Sequence, residues 1–426
     1  MKAEILSIGD EITSGQLLDT NAQWLSRRLE EMGVRVLYHT TVGDELDAIV
    51  AAFRAAIQRC DVILATGGLG PTADDLTREA IARAAGRDLL VREEALDHIR
   101  ALFARRRREM PERNTVQAFF PVGSQIIPNP NGTAPGIDIT IERSAGSPAR
   151  IFALPGVPAE MIEMWNETVA PRLRLGGAGQ RTVRHRKIRC FGAGESQIEA
   201  MLPDLIRRGR IPRVGINASK ATIILRITAE GATPEECDAA IEPTAATIYQ
   251  CLGDLVFGEG EEELQHAVVR LLRRAGRTLA TAEWGTAGLL ADWLGEMAAS
   301  DDCYLGGTIV SSISSLEKII SLPPEGEKTL EADPAEVAKA MAERCRRQFG
   351  ADYTLAVSRF PFADGPSGEP EQVFLALASA DSVQAKSLPF AGHPALLKVY
   401  IAKQALNFAR LALLADLRRV NPAVPA

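Results

Sequence analysis

Apolar positions along the first 172 residues alternate between two spacings. "AEILSIG" (3–9) is a near-continuous apolar run, the pattern of a strand buried on both faces. "TNAQWLSRRLEEMG" (20–33) carries its apolar residues at helical spacing and stops at a glycine. The alternation repeats: "VRVLYHTTVG" predicts a strand, "ELDAIVAAFRAAIQRC" a helix, and "DVILATGG" an apolar strand running into glycines. Strands separated by helices of about 10–15 residues predict an α/β fold built on a doubly wound, mostly parallel sheet. In such sheets ligands sit at the carboxyl ends of the strands.

The spacing changes after "RLGGAGQ" (174–180), which reads as a linker and closes a first domain at 1–174. Residues 181–258 predict a small α+β domain: "TVRHRKIRCFG", a helix "ESQIEAMLPDLIRRG", a strand "ATIILRITAEG" and a helix from "TPEECDAAI". A third α/β domain, 261–420, opens on a helix in "GEGEEELQHAVVRLLRRAG" and closes on the long helix "HPALLKVYIAKQALNFARLALLADLRR". No repeat is present, and the one low-complexity segment is the short tail "NPAVPA".

At 426 residues the chain exceeds one hydrophobic core, and 46% hydrophobic with 24% charged residues is a soluble globular composition. A net charge of −7 argues against general nucleic-acid binding. No apolar run reaches the roughly 18 residues of a membrane span. "MKAEILSIGDE" reads as a first strand and not a signal peptide. Six scattered cysteines without a CxxC pair fit a reducing cytoplasm. Five histidines, none at i,i+4 spacing, leave carboxylates to hold any divalent metal, which favours Mg, Mn or Co over structural zinc.

The densest candidate chemistry is "ATGGLGPTADDLTREAIARAAG" (65–86). Its strand delivers Gly67, Gly68 and Gly70 to the sheet's carboxyl edge, where backbone N–H groups can approach a phosphate. Thr72 is expected to cap the following helix. Asp74 and Asp75 beside a phosphate pocket call for a bridging divalent cation, although acids also fill first helical turns for structural reasons. "SIGDEITSGQLLDTNAQWL" adds Asp10 and Glu11, with Asp19, Thr20 and Asn21 capping a helix. "NPNGTAPG" (129–136), with Gly132, and "LPGVPAEM" (154–161), with Pro155, Gly156, Pro158 and Glu160, are turn-rich loops pointing to the same edge.

Those stretches, with "TTVGDE" and "EMPERN", resemble the amino-terminal domain of the competence/damage-inducible CinA family, itself similar to molybdopterin-binding proteins. The resemblance extends along the chain, with a KH-like middle domain and a nicotinamide-nucleotide amidase-like third domain. It implies metal-dependent cleavage of ADP-ribose, or a similar nucleotide, to AMP and ribose 5-phosphate. It also implies a homodimer. On this reading Gly67, Gly68, Gly70 and Thr72 cradle the pyrophosphate. Asp75, helped by Asp74 or Asp10, holds the metal that activates water. Asp19, Asn21, Gly132, Glu160 and the Pro155–Pro158 loop position ribose and base. Adenylate transfer to a pterin and non-catalytic nucleotide sensing stay open as alternatives.

The third domain departs from the pattern. The family's amidase turn reads A-E-S-C-T-G-G, its serine attacking the carboxamide, whereas this chain has "AEWGTAG". Glu283, Thr286 and Gly288 match, but Trp284 stands at the nucleophile, in a turn expected to open a helix at Thr286. In "LGGTIVSSISSLEKII", Ser311 replaces the expected tyrosine, Ile313 the asparagine and Leu316 the lysine. The later glycine-rich loop survives only as "SRFPFADGPSG" (358–368). Deamidation of NMN is therefore expected to be lost, unless a serine of 311–314 and Lys318 form a substitute pair.

Three conspicuous features have plainer readings. "ARRRRE" (104–109) points arginines all round a helix and reads as a solvated face. "RHRKIR" (184–189) and "FGAGES" (191–196) lack the exposed GxxG loop that RNA binding by a KH fold needs. Trp24 and Trp165 read as core.

Overall fold

A computed structural model describes residues 1–144, 146–179, 181–202, 204–207, 209–297, 302–312, 314–316, 333–361 and 371–420. It divides into two compact units, Met1–Arg184 with Glu230–Asp238, and His185–Ala229 with Ala239–Ala426.

The first unit runs β1 (Lys2–Ile8), α1 (Asp10–Thr13), α2 (Thr20–Glu31), β2 (Arg35–Val42), α3 (Leu46–Arg59), β3 (Val62–Thr66), α4 (Thr77–Ala85), β4 (Leu89–Val91) and α5 (Glu93–Arg105). It continues through β5 (Phe119–Pro121), β6 (Gln125–Ile127), β7 (Gly136–Ile141), β8 (Ala149–Leu154), α6 (Pro158–Met164) and α7 (Ala170–Leu175). Six strands form a sheet in the order β2-β1-β3-β8-β7-β6. The first four are parallel neighbours, and β7 and β6 complete the sheet antiparallel. β1 and β3 are buried on both faces, which is why they read as unbroken apolar runs. One face is covered by Ile49, Phe53 and Ile57 of α3, Ile81 of α4 and Ile99 of α5. The other is covered by Leu25 and Leu29 of α2, Met161 and Met164 of α6, and Trp165. Trp24 meets Trp165 edge to face at 6.0 Å, a core contact.

The middle of the chain supplies β9 (Thr182–Cys190), α8 (Glu195–Met201), β10 (Arg213–Ser219), β11 (Thr222–Gly231), α9 (Pro234–Leu252) and β12 (Val256–Glu259). Their sheet order is β10-β11-β9-β12. The helix expected through 209 ends at Met201, because Leu202 precedes a proline and leaves the helical region. The helix that follows is longer than expected and carries Pro243 inside it. The basic run on β9 is matched by acids: Arg184 meets Asp238 at 3.6 Å, Arg186 meets Glu242 at 2.8 Å, Lys187 meets Glu261 at 2.5 Å, and Arg189 meets Glu263 at 2.5 Å.

The remainder is α10 (Leu264–Ala275), β13 (Leu279–Glu283), α11 (Leu289–Gly295), β14 (Tyr304–Ile309), α12 (Pro334–Phe349), β15 (Tyr353–Val357), β16 (Gln372–Ala378), β17 (Val383–Pro389) and α13 (Pro394–Val420). Its sheet runs β14-β13-β15-β16-β17. β13 lies parallel to both neighbours, with α10, α11 and α13 on one face and α12 on the other. Among the described residues no helix is long and apolar enough to cross a membrane.

Candidate functional site

Parallel strands that end together leave backbone N–H groups facing the carboxyl edge, and each needs an acceptor. In the first unit the loops after β1, β3 and β8 meet there. Gly67 donates its N–H to the Leu154 carbonyl at 3.1 Å, and Asn21 donates its carboxamide N–H to the Gly156 carbonyl at 2.8 Å. The loop after β3 turns at Gly67, whose φ of 98° suits glycine. A Cβ there would also lie 2.1 Å from the Ile8 carbonyl oxygen.

Asp75 holds the rest of that loop. Its carboxylate accepts the Gly70 N–H at 2.7 Å, the Thr72 N–H at 2.8 Å and the Thr72 hydroxyl at 2.5 Å. Position 70 has no room for a side chain, since a Cβ would sit 2.3 Å from Asp75 Oδ2. Thr77 closes the loop, its hydroxyl donating to Gly67 at 2.8 Å and its N–H to Gly68 at 3.1 Å. Two expectations are thereby corrected. Thr72 does not cap α4, whose N-cap is Leu76 without a side-chain bond, because the Thr72 hydroxyl is turned inward onto Asp75. The two aspartates precede α4 and do not fill its first turn. With Gly70 and Thr72 engaged, the N–H groups of Gly68 and Leu69, at the glycine turn, are among those of the loop without a protein partner among the described residues, as are those of Ala73 and Leu76 further on.

Acids gather opposite. Asp10 and Asp44 exchange bonds, each carboxylate accepting the other's backbone N–H at 3.0 Å. Burial, together with the charges of Asp10, Glu11 and Asp74, pushes the Asp44 carboxyl above its ordinary 3.8. Asp74, in the loop after β3, is near enough to Asp44 for its charge to contribute. Asp74 itself is exposed. A cleft of about 440 Å³ runs along Asp10, Glu11, Thr13, Ser14 and Gln16. Larger cavities of about 840 Å³ and 490 Å³ lie elsewhere, the first beside the amino ends of β13 and β15.

Other expected residues have structural partners. Asp19 caps α2 through the Ala22 N–H at 2.9 Å and accepts the Ser7 hydroxyl at 2.5 Å. The carboxamide oxygen of Asn21 is buried without a partner among the described residues. Gly132 donates to Asn129 at 2.8 Å, Asn129 donates to Glu160 at 2.7 Å, and Pro158 opens α6, so these three form one braced cluster beside the Pro155–Gly156 turn. Arg106, of the arginine run, donates to the Asn131 carbonyl at 2.9 Å. Sequence reasoning assigned no role to Asp44, though it lies in "TTVGDE", nor to the buried pair Asn114 and Gln117, where Gln117 braces the Leu69 carbonyl at 3.4 Å.

Among the described residues no group of three or more His, Cys, Asp or Glu side chains is arranged to hold a metal ion. The carboxylates present are the donor type of a hard divalent cation, which is commonly held by one or two carboxylates and completed by phosphate and water.

In the second unit the turn after β13 is self-contained. Glu283 is fully buried and accepts the Thr286 hydroxyl at 2.7 Å and the N–H groups of Gly288, Leu290 and Ala291 at 3.1, 3.0 and 2.8 Å. The helix expected at Thr286 therefore starts only at Leu289, after a left-handed Ala287 (φ 49°) at a position where the family pattern has glycine. Arg359 stacks over the Trp284 ring at 5.7 Å, and Phe360 covers Gly285 so closely that a Cβ there would lie 2.1 Å from the ring. Leu316, at the lysine position, is buried in the α12 core. Ser312 caps the turn that follows it, accepting the Ser315 N–H at 3.2 Å, and Ser311 is exposed. Ile313, Lys318 and 362–368 of the glycine-rich stretch lie outside the described residues.

Comparison with known proteins agrees in both halves. Residues 4–175 match the family "Probable molybdopterin binding domain", 185–258 the "Damage-inducible protein CinA KH domain", and 261–413 the "CinA C-terminal domain". The chain is a three-part α/β protein with a molybdopterin-binding-like first domain. A CinA-like protein of Dictyoglomus thermophilum is 36% identical over 418 residues, covering 97% of this chain and 100% of that protein. One from Dictyoglomus turgidum is 36% identical over 416 residues, with 97% and 100% covered. A solved CinA structure from Thermoplasma acidophilum is 33% identical, covers 40% of this chain and 98% of its own, and has a TM-score of 0.37. The chain belongs to the CinA family.

Three outcomes follow from these contacts. Asp75→Ala, which leaves the Gly70 and Thr72 N–H groups without an acceptor, costs about 1–3 kcal/mol in urea unfolding, whereas Asp74→Asn stays within about 0.5 kcal/mol. In the third domain, Glu283→Ala costs about 3 kcal/mol or more, and Ala287→Gly stabilises by about 0.5–1 kcal/mol. A raised Asp44 value means the folded chain holds that proton more tightly than the unfolded chain, so the group's contribution is present at low pH and lost as pH rises above 3.8. In chelator, the melting temperature of Asp44→Asn should therefore gain on the wild type between about pH 4 and pH 7.

Proposed function

We propose that the first domain hydrolyses the pyrophosphate bond of ADP-ribose, or a similar dinucleotide, to AMP and ribose 5-phosphate with a divalent metal (Mg, Mn or Co), and that the third domain has lost NMN deamidation. The observation that carries the first part is the rigid loop Gly67–Thr77, which offers the Gly68 and Leu69 N–H groups to an anion while the charges of Asp10 and Asp74 act together on Asp44.

In this reading phosphate oxygens rest on the two N–H groups, and the α4 amino end adds its positive dipole. Asp10 and Asp74 would hold the cation, which when bound polarises the phosphoryl group. Asp44, held beside Asp10 by their paired backbone bonds, takes the proton of the attacking water. The water oxygen bonds to one phosphorus, and the bridging oxygen leaves with the other phosphate. Asn21, braced against Gly156 and carrying an unpartnered buried oxygen, flanks the nucleoside. The second part rests on Trp284 at the nucleophile, Leu316 in the core and Phe360 over Gly285.

One further reading has support in the match of residues 4–175 to a molybdopterin-binding family, namely a pterin as the nucleotide's partner. Product chromatography after incubation with Mn²⁺ and ADP-ribose, NMN or a pterin with ATP separates the readings. The expected result is AMP and ribose 5-phosphate from ADP-ribose, a fall in kcat of about 10²–10⁴-fold in Asp44→Asn, and NMN untouched. Adenylylated pterin without cleavage of ADP-ribose would replace this function with the transferase. Trp284→Ser should remain inactive on NMN, because Leu316 supplies no base; nicotinic acid mononucleotide from the wild type would refute the loss of deamidation, and product from Trp284→Ser alone would make Trp284 its sole cause.

A further inference from the structure

Behind the loop after β3 lies a charge that the mechanism above does not use. Arg78, on the first turn of α4, is only 4% exposed, and among the described residues its Nε and Nη2 are buried without a hydrogen-bond partner. Its helix neighbours treat their charges in the ordinary way, Glu79 pairing with Arg83 at 2.5 Å on the outside. Removal from water pulls the Arg78 guanidinium down to about 10, and the one opposing charge that acts on it is Asp75. Asp75 makes no hydrogen bond to it among the described residues; its carboxylate accepts from Gly70 and Thr72.

Stability does not account for arginine here. A buried cation with two of its three nitrogens unbonded is costly, and an apolar chain of similar volume usually serves as well or better. The position also sets a cation against the positive end of the helix dipole. What the cation does match is the front of the loop. Asp74 and Asp75 lie in the loop itself, and Asp74 acts together with Asp10 and Glu11 on Asp44, a concentration of negative charge that opposes the entry of any phosphate. Arg78 follows Thr77, which is bonded to Gly67 and Gly68, and its positive charge offsets that field.

We propose that Arg78 is the positioning residue for the substrate's phosphates, its buried charge, opposed only by Asp75, making the Gly68–Leu69 pair an anion site that the neighbouring acids would otherwise close. This rests on reading the loop as a phosphate site and names what gives it affinity. The ligand class is a phosphoanhydride, and Arg78 acts on it through the loop.

The experiment compares the full-length wild type with Arg78→Met and Arg78→Lys by titration calorimetry against inorganic pyrophosphate in Mg²⁺. Unliganded melting temperature and ADP-ribose hydrolysis are measured in parallel. Arg78→Met should bind pyrophosphate at least about tenfold more weakly, while Arg78→Lys stays within about threefold of wild type. Arg78→Met should also melt no lower than wild type, and its loss on ADP-ribose should fall on KM more than on kcat. Equal affinity in Arg78→Met, or no pyrophosphate binding by the wild type, overturns the proposal. So does a lowered melting temperature in Arg78→Met joined to failure of lysine to restore affinity, the signature of a purely structural arginine. Arg78-dependent pyrophosphate binding without AMP formation would sustain this inference and remove the hydrolase reading. AMP formation with an unchanged KM in Arg78→Met would do the reverse.

Discussion

Both α/β units depend on the same constraint, the N–H groups exposed where a buried parallel strand turns into a helix. Each unit answers it with one carboxylate from its own chain. Asp75 gathers Gly70 and Thr72 after β3, and Glu283 gathers Thr286, Gly288, Leu290 and Ala291 after β13. Such turns are otherwise ready-made anion sites. The difference between the units lies in how far the internal acid satisfies the turn. Asp75 leaves the Gly68 and Leu69 N–H groups over, whereas Glu283 sits fully buried among its donors.

The first site is assembled from groups that do not favour one another. Asp10 and Asp44 lock each other's backbone, Glu11 and Asp74 add charge, and Asp44 is pushed up in consequence. Arg78 is buried on the first turn of α4, against both desolvation and the helix dipole. Crowded acids and a buried cation are each unfavourable until an ion of the opposite sign lies beside them. Ligand-binding sites commonly carry such costs, offset by the doubly buried sheet beneath them.

The second unit keeps the frame of a site and fills it. The retained Glu283 is explained by its helix-start bonds alone, and Ala287 occupies a left-handed position with the strain that glycine would avoid. Phe360 takes the space above Gly285, and it packs in turn on Phe390 at 5.1 Å. Retention of the motif acid thus needs no catalytic role to explain it.

Much of this was legible in the sequence because it is local. Strand and helix periodicity, the glycines of "TGGLGPT", the Asp19 cap and the missing serine at Trp284 are all written within a few residues of where they act. The early end of α8 is legible too, in the proline after Leu202. Asp75 was readable as important but not as the clasp of its own loop, since that depends on where Gly70 and Thr72 point. The bond between Asp10 and Asp44 spans 34 positions, and the contact of Gln117 with Leu69 spans 48. The sequence by itself determined the elements, their order and the edge where chemistry collects, because those follow from periodicity and turn residues. Only the tertiary structure decided which donors stay free, which acids crowd together and which arginine is buried without a partner. Those outcomes depend on burial and on the direction of single hydrogen bonds, and neither is encoded in spacing along the chain.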